Sequence, residues 1–432
     1  MAATEHVTLE GHIIDSFMLN RILDEIMGVG GDFQIVELNL GQRHEDESFA
    51  RIKITAEDED ALVKLIERLR QHGANPETVE DVTLEEVDIE GAFPVGFYST
   101  TNLETEIRVD GHWIEVEHPE MDCGIVLENG SARTIPMGDA RAGMKIVMRG
   151  LGIRVNPLER SSQTGHQAFE FMSSDISSEK PKALQVDTVA AQLRDVHERG
   201  QRIMWVAGPA VVHTGSGPDI AALIRGGYVN AFFAGNGVAA HDIESHIYGT
   251  SLGVHLAEGT AAEHGHEHHI RAINALRRYG SFAAAMDDGL FGDGVVYHLV
   301  KHDVPYLFGG SVRDDGPLPE VVSDMNEVQR RLRELIWGDG GDDLIGYCMV
   351  VGTMLHGIAT GNCLPASVPL ACVDINQAVV TKLMDRGSWQ SMGIITDVGL
   401  FIRELAVRLA PDEVRPPTAD AEVRKAAART RR

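Results

Sequence analysis

The chain has no apolar run long enough to cross a bilayer, and its 432 residues include only four cysteines, none of them in C-x-x-C spacing. Its first residues have neither the positive charge nor the apolar stretch of a secretion signal. We therefore predict a cytoplasmic protein with reduced thiols and no membrane partner. Metal ligation by cysteine is not expected.

Positive charge is also scarce. Lysine and arginine number 38 against 65 aspartate and glutamate residues, which gives a formal net charge of −27. Such a surface repels phosphate backbones and anionic lipid, so we predict that nucleic acid is not a partner. The negative charge could attract a cationic amino acid or amine, or serve only solubility, which is the interpretation we favour. The length and the 43% hydrophobic content suit a globular protein of two or three domains.

The first ninety residues alternate strand and helix patterns in the order βαββαβ, which predicts a ferredoxin-like module over residues 1–91. The four strand patterns cover residues 7–14, 33–40, 49–54 and 79–87, and apolar residues at helical spacing lie between them. A module of this kind binds a regulatory amino acid in some proteins and serves packing or oligomerisation in others. The sequence leaves that choice open.

Turn-forming dipeptides dominate the next segment. Asp110-Gly111 and Asn129-Gly130 interrupt short strand patterns and predict hairpins, so we assign residues 92–182 to a small β domain followed by a polar linker. Residues 183–410 are predicted to form an α/β domain. Residues 411–432, with two prolines and a basic end, are predicted to be a disordered tail.

The α/β domain has apolar segments of strand length with helical patterns between most of them, which predicts a Rossmann-like, mostly parallel sheet of about six strands. The predicted strands end at Gly208, Gly235, Gly309, Val351, Val373 and Thr396. In such a sheet ligands bind at the carboxyl ends of the strands. The residues that follow each strand are therefore the candidate functional residues.

Residues 344–374 form a strand, turn, helix and strand pattern of the kind that holds a dinucleotide. The turn begins at Gly352, and Asp374 follows it by about twenty residues, the position from which an acid reaches the adenine ribose. A carboxylate there would repel a 2′-phosphate, so we expect NAD rather than NADP. An ordinary βαβ crossover that binds nothing is the alternative.

Three other loops carry polar residues. After the first strand, a glycine-rich loop with His213 could hold a phosphate or a carboxylate. After the second, Asn236 and Gly237 could contact the cofactor, while Asp242 and Glu244 could face a substrate amine. A helix would place these two acids on different faces, so at most one is expected in a given pocket. A solvent-facing first helical turn is the alternative.

After the third strand, Arg313 is suited to bind an α-carboxylate in bidentate fashion, and Asp314 or Asp315 could accept from an ammonium or a ribose. A self-satisfied turn is the alternative. Lys382 could be a buried amine with a lowered pKa, although a helix-surface lysine is the default.

A histidine cluster, His264-Gly-His-Glu-His-His269, suggests a metal site, but its spacing is not H-E-x-x-H and no cysteine lies nearby in the sequence. We predict no metal. Partner contacts, cofactor contacts or capping of the helix that follows are favoured instead.

Several motifs in one order resemble the LOR/SDH conserved-region family, which includes the archaeal-type ornithine cyclodeaminases and the C-terminal half of bifunctional cyanobacterial enzymes. They include Gly208-Pro-Ala-Val-Val-His-Thr-Gly, Gly310-Ser-Val-Arg-Asp-Asp-Gly-Pro-Leu-Pro319, Thr353-Met-Leu-His, Val373-Asp-Ile-Asn and Thr396-Asp-Val-Gly-Leu-Phe401. The resemblance implies bound NAD. The contacts it implies are Asn236, Gly237, Asp315, Thr353, Met354, Leu355, His356, Asp374, Ile375, Asp397 and Val398.

The function implied by the resemblance is conversion of L-ornithine to L-proline and ammonia, with NAD⁺ regenerated in each cycle. Arg313 is expected to hold the substrate carboxylate and Asp242 or Glu244 the distal ammonium. Proton transfer is expected from His213, Asp315 or Lys382. An NAD-dependent amino-acid dehydrogenase of saccharopine or lysine type and a non-catalytic NAD and amino-acid sensor are the alternatives. We also predict a homo-oligomer.

Overall fold

A computed structural model describes residues 2–11, 13, 18–41, 46, 48–70, 72–156, 182–312, 316–338, 343–385 and 391–414. The chain divides into two compact units, Met1–Ser173 with Asn362–Ser367, and Ser174–Gly361 with Val368–Arg432. The predicted linker from about residue 161 and all but the first four residues of the predicted tail lie outside the described residues. No helix in the described ranges has both the length and the apolar character that a membrane span requires.

The first unit begins with the predicted ferredoxin-like module. Its elements are β1 (Ala3–Gly11), α1 (Met18–Gly28), β2 (Asp32–Asn39), β3 (Ser48–Ala56), α2 (Glu59–Arg70) and β4 (Asn75–Pro76). The antiparallel sheet has the order β2-β3-β1-β4. Alternate residues of β3, such as Ile52 and Ile54, are fully buried and pack with Ile22 and Leu65 of the two helices. The period-two pattern in the sequence reflects this one-sided burial.

The predicted fourth strand over residues 79–87 is wrong. The strand that completes the sheet is β4, whose two residues pair with Val7 and Thr8 of β1. The Asn75 amide group bonds to the backbone of Val155, and Val82 N donates to Arg108 O, so the next residues follow another sheet. Of the predicted segment only Leu84–Glu86 is a strand, and it pairs with that sheet.

The small β domain is a seven-stranded sheet with the order β11-β6-β7-β9-β8-β10-β5. Its strands are β5 (Leu84–Glu86), β6 (Thr105–Val109), β7 (His112–Glu117), β8 (Gly124–Glu128), β9 (Ser131–Ile135), β10 (Lys145–Val147) and β11 (Ile153–Val155), with a 3₁₀ turn at Met137–Asp139. Both predicted hairpins are confirmed: Asp110-Gly111 joins β6 to β7 and Asn129-Gly130 joins β8 to β9. All four turn residues have positive φ, which suits type I′ turns.

The second unit contains the predicted Rossmann-like sheet. Its seven parallel strands, in the order β17-β16-β13-β12-β18-β19-β20, are β12 (Arg202–Ala207), β13 (Ala231–Gly235), β16 (Tyr306–Gly309), β17 (Val321–Val322), β18 (Ile345–Val351), β19 (Leu370–Asp374) and β20 (Ser391–Ile395). Trp205, Phe232 and Phe233 are buried at its centre. The six predicted strands are present, and the short β17 adds a seventh.

Helices and a short hairpin connect these strands. The helices are α3 (Lys182–Glu198), α4 (Ala210–His213), α5 (Gly217–Arg225), α6 (Asn236–Tyr248), α7 (His268–Arg277), α8 (Phe282–Asp287), α9 (Val295–Lys301), α10 (Met325–Trp337), α11 (Leu355–Cys363), α12 (Gln377–Asp385) and α13 (Val398–Leu409). A 3₁₀ turn, Gly265–Glu267, precedes α7, and β14 (Thr250–Ser251) pairs with β15 (Val254–His255). From β12 the chain builds the sheet in one direction and then returns to build it in the other from β18. The switch point between β12 and β18 is where α/β sheets bind ligands.

Candidate active site

The loops that leave β12 and β18 meet through glycine backbone. Gly208 N donates to Val351 O over 2.8 Å, and a Cβ added to Gly208 would lie 1.7 Å from the carbonyl oxygen of Gly352. Gly352 also has a φ of +61°, a conformation that favours glycine. No side chain therefore separates the two loops. The two glycines therefore let the loops after β12 and β18 pack backbone against backbone at the switch point.

The loops that follow β13 and β16 are linked to the same region. Asn236, the first residue of α6, accepts a hydrogen bond at Oδ1 from Leu318 N over 3.1 Å. A Cβ added to Gly237 would lie 3.3 Å from Cγ of Pro209. Arg313, Asp314 and Asp315 belong to the loop after β16, but they lie outside the described residues. Their predicted roles remain proposals.

His356 of α11 lies against the ends of two further strands. Its ring centroid is 4.6 Å from that of Phe233, and a Cβ added to Gly235 would lie 3.0 Å from its Cε1. A Cβ added to Gly309 would lie 3.6 Å from Nε2 of the same ring, an ordinary contact distance. Glycine at the end of β13 thus leaves the space that this imidazole fills. Met354 and Leu355, which precede it, are exposed.

The other predicted cofactor residues lie at the carboxyl ends of β19 and β20. Asp374 ends β19, and its Oδ1 accepts from Asn376 N over 2.8 Å, while Ile375 beside it is 72% exposed. Asp397 is the N-cap of α13, where Oδ1 accepts from Leu400 N over 2.8 Å, and Val398 is buried. The described cofactor candidates therefore share one edge of the sheet, as predicted from the strand ends.

Glu244 is completely buried, so the alternative of a solvent-facing helical turn is wrong. Its Oε2 accepts from His241 Nδ1 over 2.8 Å, and its Oε1 accepts from the Thr250 hydroxyl over 2.9 Å and from Gly253 N over 3.0 Å. Burial opposes ionisation, but the hydrogen bonds from His241, Gly253 and Thr250 outweigh it and lower the pKa of Glu244 below its ordinary value. This carboxylate is an anion enclosed by donors.

Asp242 is buried on another side of α6. Its Oδ2 accepts from Val296 N over 2.8 Å at the start of α9. Burial raises the pKa of Asp242 above its ordinary value, although His246 and the backbone N–H groups of α9 act in the opposite direction. The two acids therefore point to different partners, as helical geometry predicted. Donors of the protein meet both oxygens of Glu244, whereas Oδ1 of Asp242 is buried without a hydrogen-bond partner among the described residues. The predicted contact of either acid with a substrate ammonium remains a proposal.

His213 ends α4, close to the residues around Glu244. Its Nδ1 lies 2.7 Å from the Ser251 hydroxyl, and its ring meets that of His241 edge-on with centroids 4.7 Å apart. Burial, and then the neighbouring His241, lower the pKa of His213 to about 4. His213 is therefore neutral at physiological pH and can accept a proton only from a strong donor.

Other predicted residues lie elsewhere. Lys382 is exposed on α12, so the alternative of a buried amine is wrong and the default of a helix-surface lysine holds. In the histidine cluster, His264 and His266 are exposed, whereas His268 reaches Thr250 with Nδ1 over 2.8 Å. Within the described ranges no group of three or more metal-binding side chains has a suitable arrangement for an ion.

Four residues of the hydrogen-bonded network around Glu244 and His213 were not predicted from the sequence: His241, Thr250, Ser251 and His268. One signal was present, because His241 precedes Glu244 by three residues and so shares its helical face. Thr250 and Ser251 follow Gly249, whose φ of +72° ends α6 and turns the chain back. No periodicity in the sequence marks that return.

Comparison with known proteins identifies the family. The model of the Rossmann-fold C-terminal domain of ArgZ-like arginine dihydrolases matches residues 187–405, and that of its first region matches residues 104–186. The LOR/SDH bifunctional enzyme conserved region matches residues 4–103. The chain belongs to this LOR/SDH and ArgZ-like C-terminal family. The resemblance inferred from the sequence motifs is confirmed.

Named relatives of this family match over most of the chain. An ornithine cyclodeaminase of Methanopyrus kandleri is 45% identical over 94% of this chain and 97% of its own length. The structure of ArgZ, a cyanobacterial arginine dihydrolase, has 34% identity and a TM-score of 0.80 over 94% of this chain and 58% of the ArgZ chain. AgrE in a ternary complex with ornithine and NAD⁺ has 38% identity and a TM-score of 0.50 over 94% of this chain and 57% of its own.

Proposed function

We propose that this chain is an NAD-dependent ornithine cyclodeaminase, which converts L-ornithine to L-proline and ammonia. One observation carries the proposal: a glycine-lined switch point, with an acid at the end of the next strand, in a chain 45% identical to an ornithine cyclodeaminase over almost its whole length. The complex of AgrE with ornithine and NAD⁺ supports the same substrate and cofactor.

The residues present fit NAD. The Gly208 and Gly352 turns let the loops after β12 and β18 pack closely at the switch point. The backbone N–H groups of Thr353 to His356, at the N-terminus of α11, would face the pyrophosphate. The Asp374 carboxylate would accept hydrogen bonds from the adenine ribose hydroxyls and would repel a 2′-phosphate. Bound NAD⁺ supplies the site that takes the hydride from an amine-bearing carbon of ornithine and later returns it.

The chain supplies binding, orientation and proton transfer. Arg313 would hold the substrate carboxylate in bidentate fashion, and Asp315 remains a candidate for proton transfer. His213, neutral at physiological pH and a weak base, would take a proton only from a strong donor and would not hold a carboxylate. Ring closure gains from proximity, because both amines belong to one substrate held in one pocket. Exclusion of water protects the imine until the second amine attacks.

The proposal includes a reduced, cytoplasmic environment. The four cysteines are free and buried, and Cys348 and Cys372 lie on the neighbouring strands β18 and β19 without a disulfide. Burial raises the pKa of Cys372 to about 12, so this thiol is inert toward oxidants that need a thiolate. These observations support cytoplasmic placement.

Steady-state assay with ornithine and a trace of NAD⁺ tests the proposal. We expect proline and ammonia in equal amounts with no accumulation of NADH absorbance. Steady NADH accumulation would instead indicate a net amino-acid dehydrogenase, and binding of both ligands without turnover would indicate a sensor.

Substitution of Arg313, the proposed carboxylate-binding residue, provides a second test. Arg313→Ala is expected to raise KM for ornithine by about 10- to 100-fold, the loss of a charge-assisted bidentate contact. Arg278→Ala is the matched control, because Arg278 is an exposed cation directly after α7. An unchanged KM in Arg313→Ala would reject the assigned role.

A further inference from the structure

One buried carboxylate connects two histidines in the second unit. Glu244 has no exposed surface, and its two oxygens accept hydrogen bonds from His241, Thr250 and the backbone N–H of Gly253, with a longer contact of 3.3 Å from Leu252 N. A buried anion is stable only when its lone pairs are met by donors. This carboxylate therefore dictates which atoms around it carry hydrogen.

The tautomers of both histidines follow from that requirement. An ionised carboxylate only accepts, so Nδ1 of His241, 2.8 Å from Oε2, must carry the hydrogen. Thr250 donates its single hydroxyl hydrogen to Oε1, so its oxygen can only accept from Nδ1 of His268, 2.8 Å away. Both neutral rings thus have hydrogen on Nδ1 and a lone pair on Nε2.

The opposite nitrogens of these rings remain available. His241 and His268 are half-buried. Within the described part of the chain neither Nε2 atom has a hydrogen-bond partner, and neither atom is fully buried. The rings are held in place by neighbours: His268 stacks on Tyr248 at 4.6 Å and 13°, and His241 meets His213 edge-on. Two oriented imidazoles therefore present basic nitrogens.

The position of His241 associates it with the crevice. It lies in the second turn of α6, the helix that starts directly after β13 at Asn236, and its ring contacts His213 at the end of the loop that follows β12. Both strands end at the edge of the sheet where the cofactor candidates lie. A base on α6 is thus on the ligand-binding side of the sheet.

We propose that Glu244 is a positioning residue that fixes His241 as the proton acceptor and donor of the ornithine reaction. The proposal rests on the proposed function and deepens it. A carboxylate that holds Nδ1–H orients the ring, keeps Nε2 basic and stabilises the imidazolium once it forms. This role replaces the direct contact with a substrate ammonium expected for Glu244 from the sequence.

The proton balance of the cycle fits one such base. Nε2 of His241 takes a proton from the ammonium of ornithine, which frees the nitrogen electron pair to form the C=N bond as the hydride leaves carbon for NAD⁺. The distal ammonium loses one proton to solvent, and the neutral amine attacks that carbon. The new ring nitrogen passes a proton to the first nitrogen, and the C–N bond to the first nitrogen breaks as the ring C=N bond forms. The imidazolium then returns its proton to the departing ammonia, which leaves as ammonium. The hydride then reduces the cyclic imine, and His241 is again neutral.

Turnover of two single variants and the double variant tests the proposal. Glu244→Gln and His241→Gln are each expected to lower kcat by about 10²- to 10⁴-fold, the range of general acid–base catalysis, with Kd for NAD⁺ changed less than about threefold. Because the residues act as one unit, the double variant should be no slower than His241→Gln.

Glu267→Gln is the matched control, because Glu267 is a carboxylate at the start of α7 paired with Arg271 on the protein surface. Multiplicative losses in the double variant, or wild-type kcat in His241→Gln, would overturn the proposal. If the wild-type protein makes no proline, the proposed function itself fails.

A measurement that needs no turnover separates the two failures. ¹⁵N NMR of ring-labelled histidine is expected to show hydrogen on Nδ1 in both His241 and His268 of the wild-type holoprotein. Thr250→Val should release His268 alone and leave the tautomer of His241 unchanged. A hydrogen on Nε2 of His241 in the wild-type protein would overturn the positioning role, including in the case that Glu244→Gln does not fold.

Discussion

At the scale of single residues, the acids of the second unit differ in the groups that surround their carboxylates. Asp374 lies at the end of β19, as the glycine turn and the spacing predicted. The surroundings of Glu244 were not predictable, because its donors Thr250 and Gly253 lie beyond the end of its own helix. Asp242 likewise bonds to the start of α9, more than fifty residues away. Helical spacing predicts which face a residue occupies but not what packs there.

The first prediction at this scale concerns cofactor choice. Asp374→Ala is expected to weaken NAD⁺ binding by about 10- to 100-fold, because a hydrogen bond to a charged acceptor contributes about 1.5–3 kcal/mol. The substitution should also reduce the preference for NAD⁺ over NADP⁺, since it removes the carboxylate that repels the 2′-phosphate of NADP⁺. Calorimetric Kd values for both dinucleotides measure this. Asp287→Ala on α8 is the exposed control, and equal Kd values in wild type and Asp374→Ala would contradict the assignment.

A second residue prediction concerns acid stability. The pKa of His213 is lowered to about 4 by burial and by His241, whereas the unfolded chain takes up the proton near the ordinary value of about 6.5. The unfolded state therefore binds more protons as pH falls through this window, and stability decreases. Between about pH 7 and pH 5, Tm should fall further in the wild type than in His213→Gln. Parallel Tm curves would show that His213 does not carry this linkage.

At the scale of elements, burial on both faces made the central strands recognisable. The apolar runs that end at Gly208, Gly235 and Val351 form β12, β13 and β18, because helices cover both sides of a parallel sheet. The two-residue strands β4, β14, β15 and β17 were not predicted. Segments this short have no periodicity, and their pairing is set by residues distant in the sequence. For residues 79–87 the error was different. Their strand-like pattern was assigned to the ferredoxin-like sheet, whereas the strand that forms there, β5, pairs with the small β sheet.

The junction between the loops that follow β12 and β18 predicts an effect of substitution at Gly208. Gly208→Ala would force a Cβ to within 1.7 Å of Gly352 O, so the loops must separate and the Gly208 to Val351 hydrogen bond must lengthen. We expect a loss of about 1–3 kcal/mol in the free energy of unfolding and a marked loss of NAD⁺ affinity. Urea denaturation and calorimetry measure the two effects.

Gly217→Ala provides the matched comparison. A Cβ at Gly217 would meet its nearest neighbour, Asp242 Oδ1, at 3.7 Å, an ordinary contact, and φ is not positive there. Its stability should equal or slightly exceed that of the wild type. Similar behaviour of the two variants would mean that the Gly208 and Gly352 contact is not a tight junction.

At the scale of the whole molecule, the order of the modules was predictable and their boundaries were less so. The βαββαβ order, the hairpin signals and the alternating α/β pattern each have a local origin in the sequence. The assignment of β5 to the small β sheet, and of Asn362–Ser367 to the first unit, depends on contacts between distant segments. The boundaries at residues 91 and 182 and the homo-oligomeric state remain predictions. Light scattering in solution, with a monomer mass of 47.1 kDa as reference, measures the latter.

We propose that one site holds NAD beside ornithine and that the same hydride leaves and returns. Mass spectrometry of proline made from ornithine deuterated at both amine-bearing carbons, with unlabelled NADH in excess, distinguishes this internal return from exchange with free cofactor. Proline is expected to retain all of this label, because the deuteride never leaves the bound cofactor. Proline that has lost one deuteron to the NADH pool, or an absence of proline with labelled NADH formed instead, would contradict it.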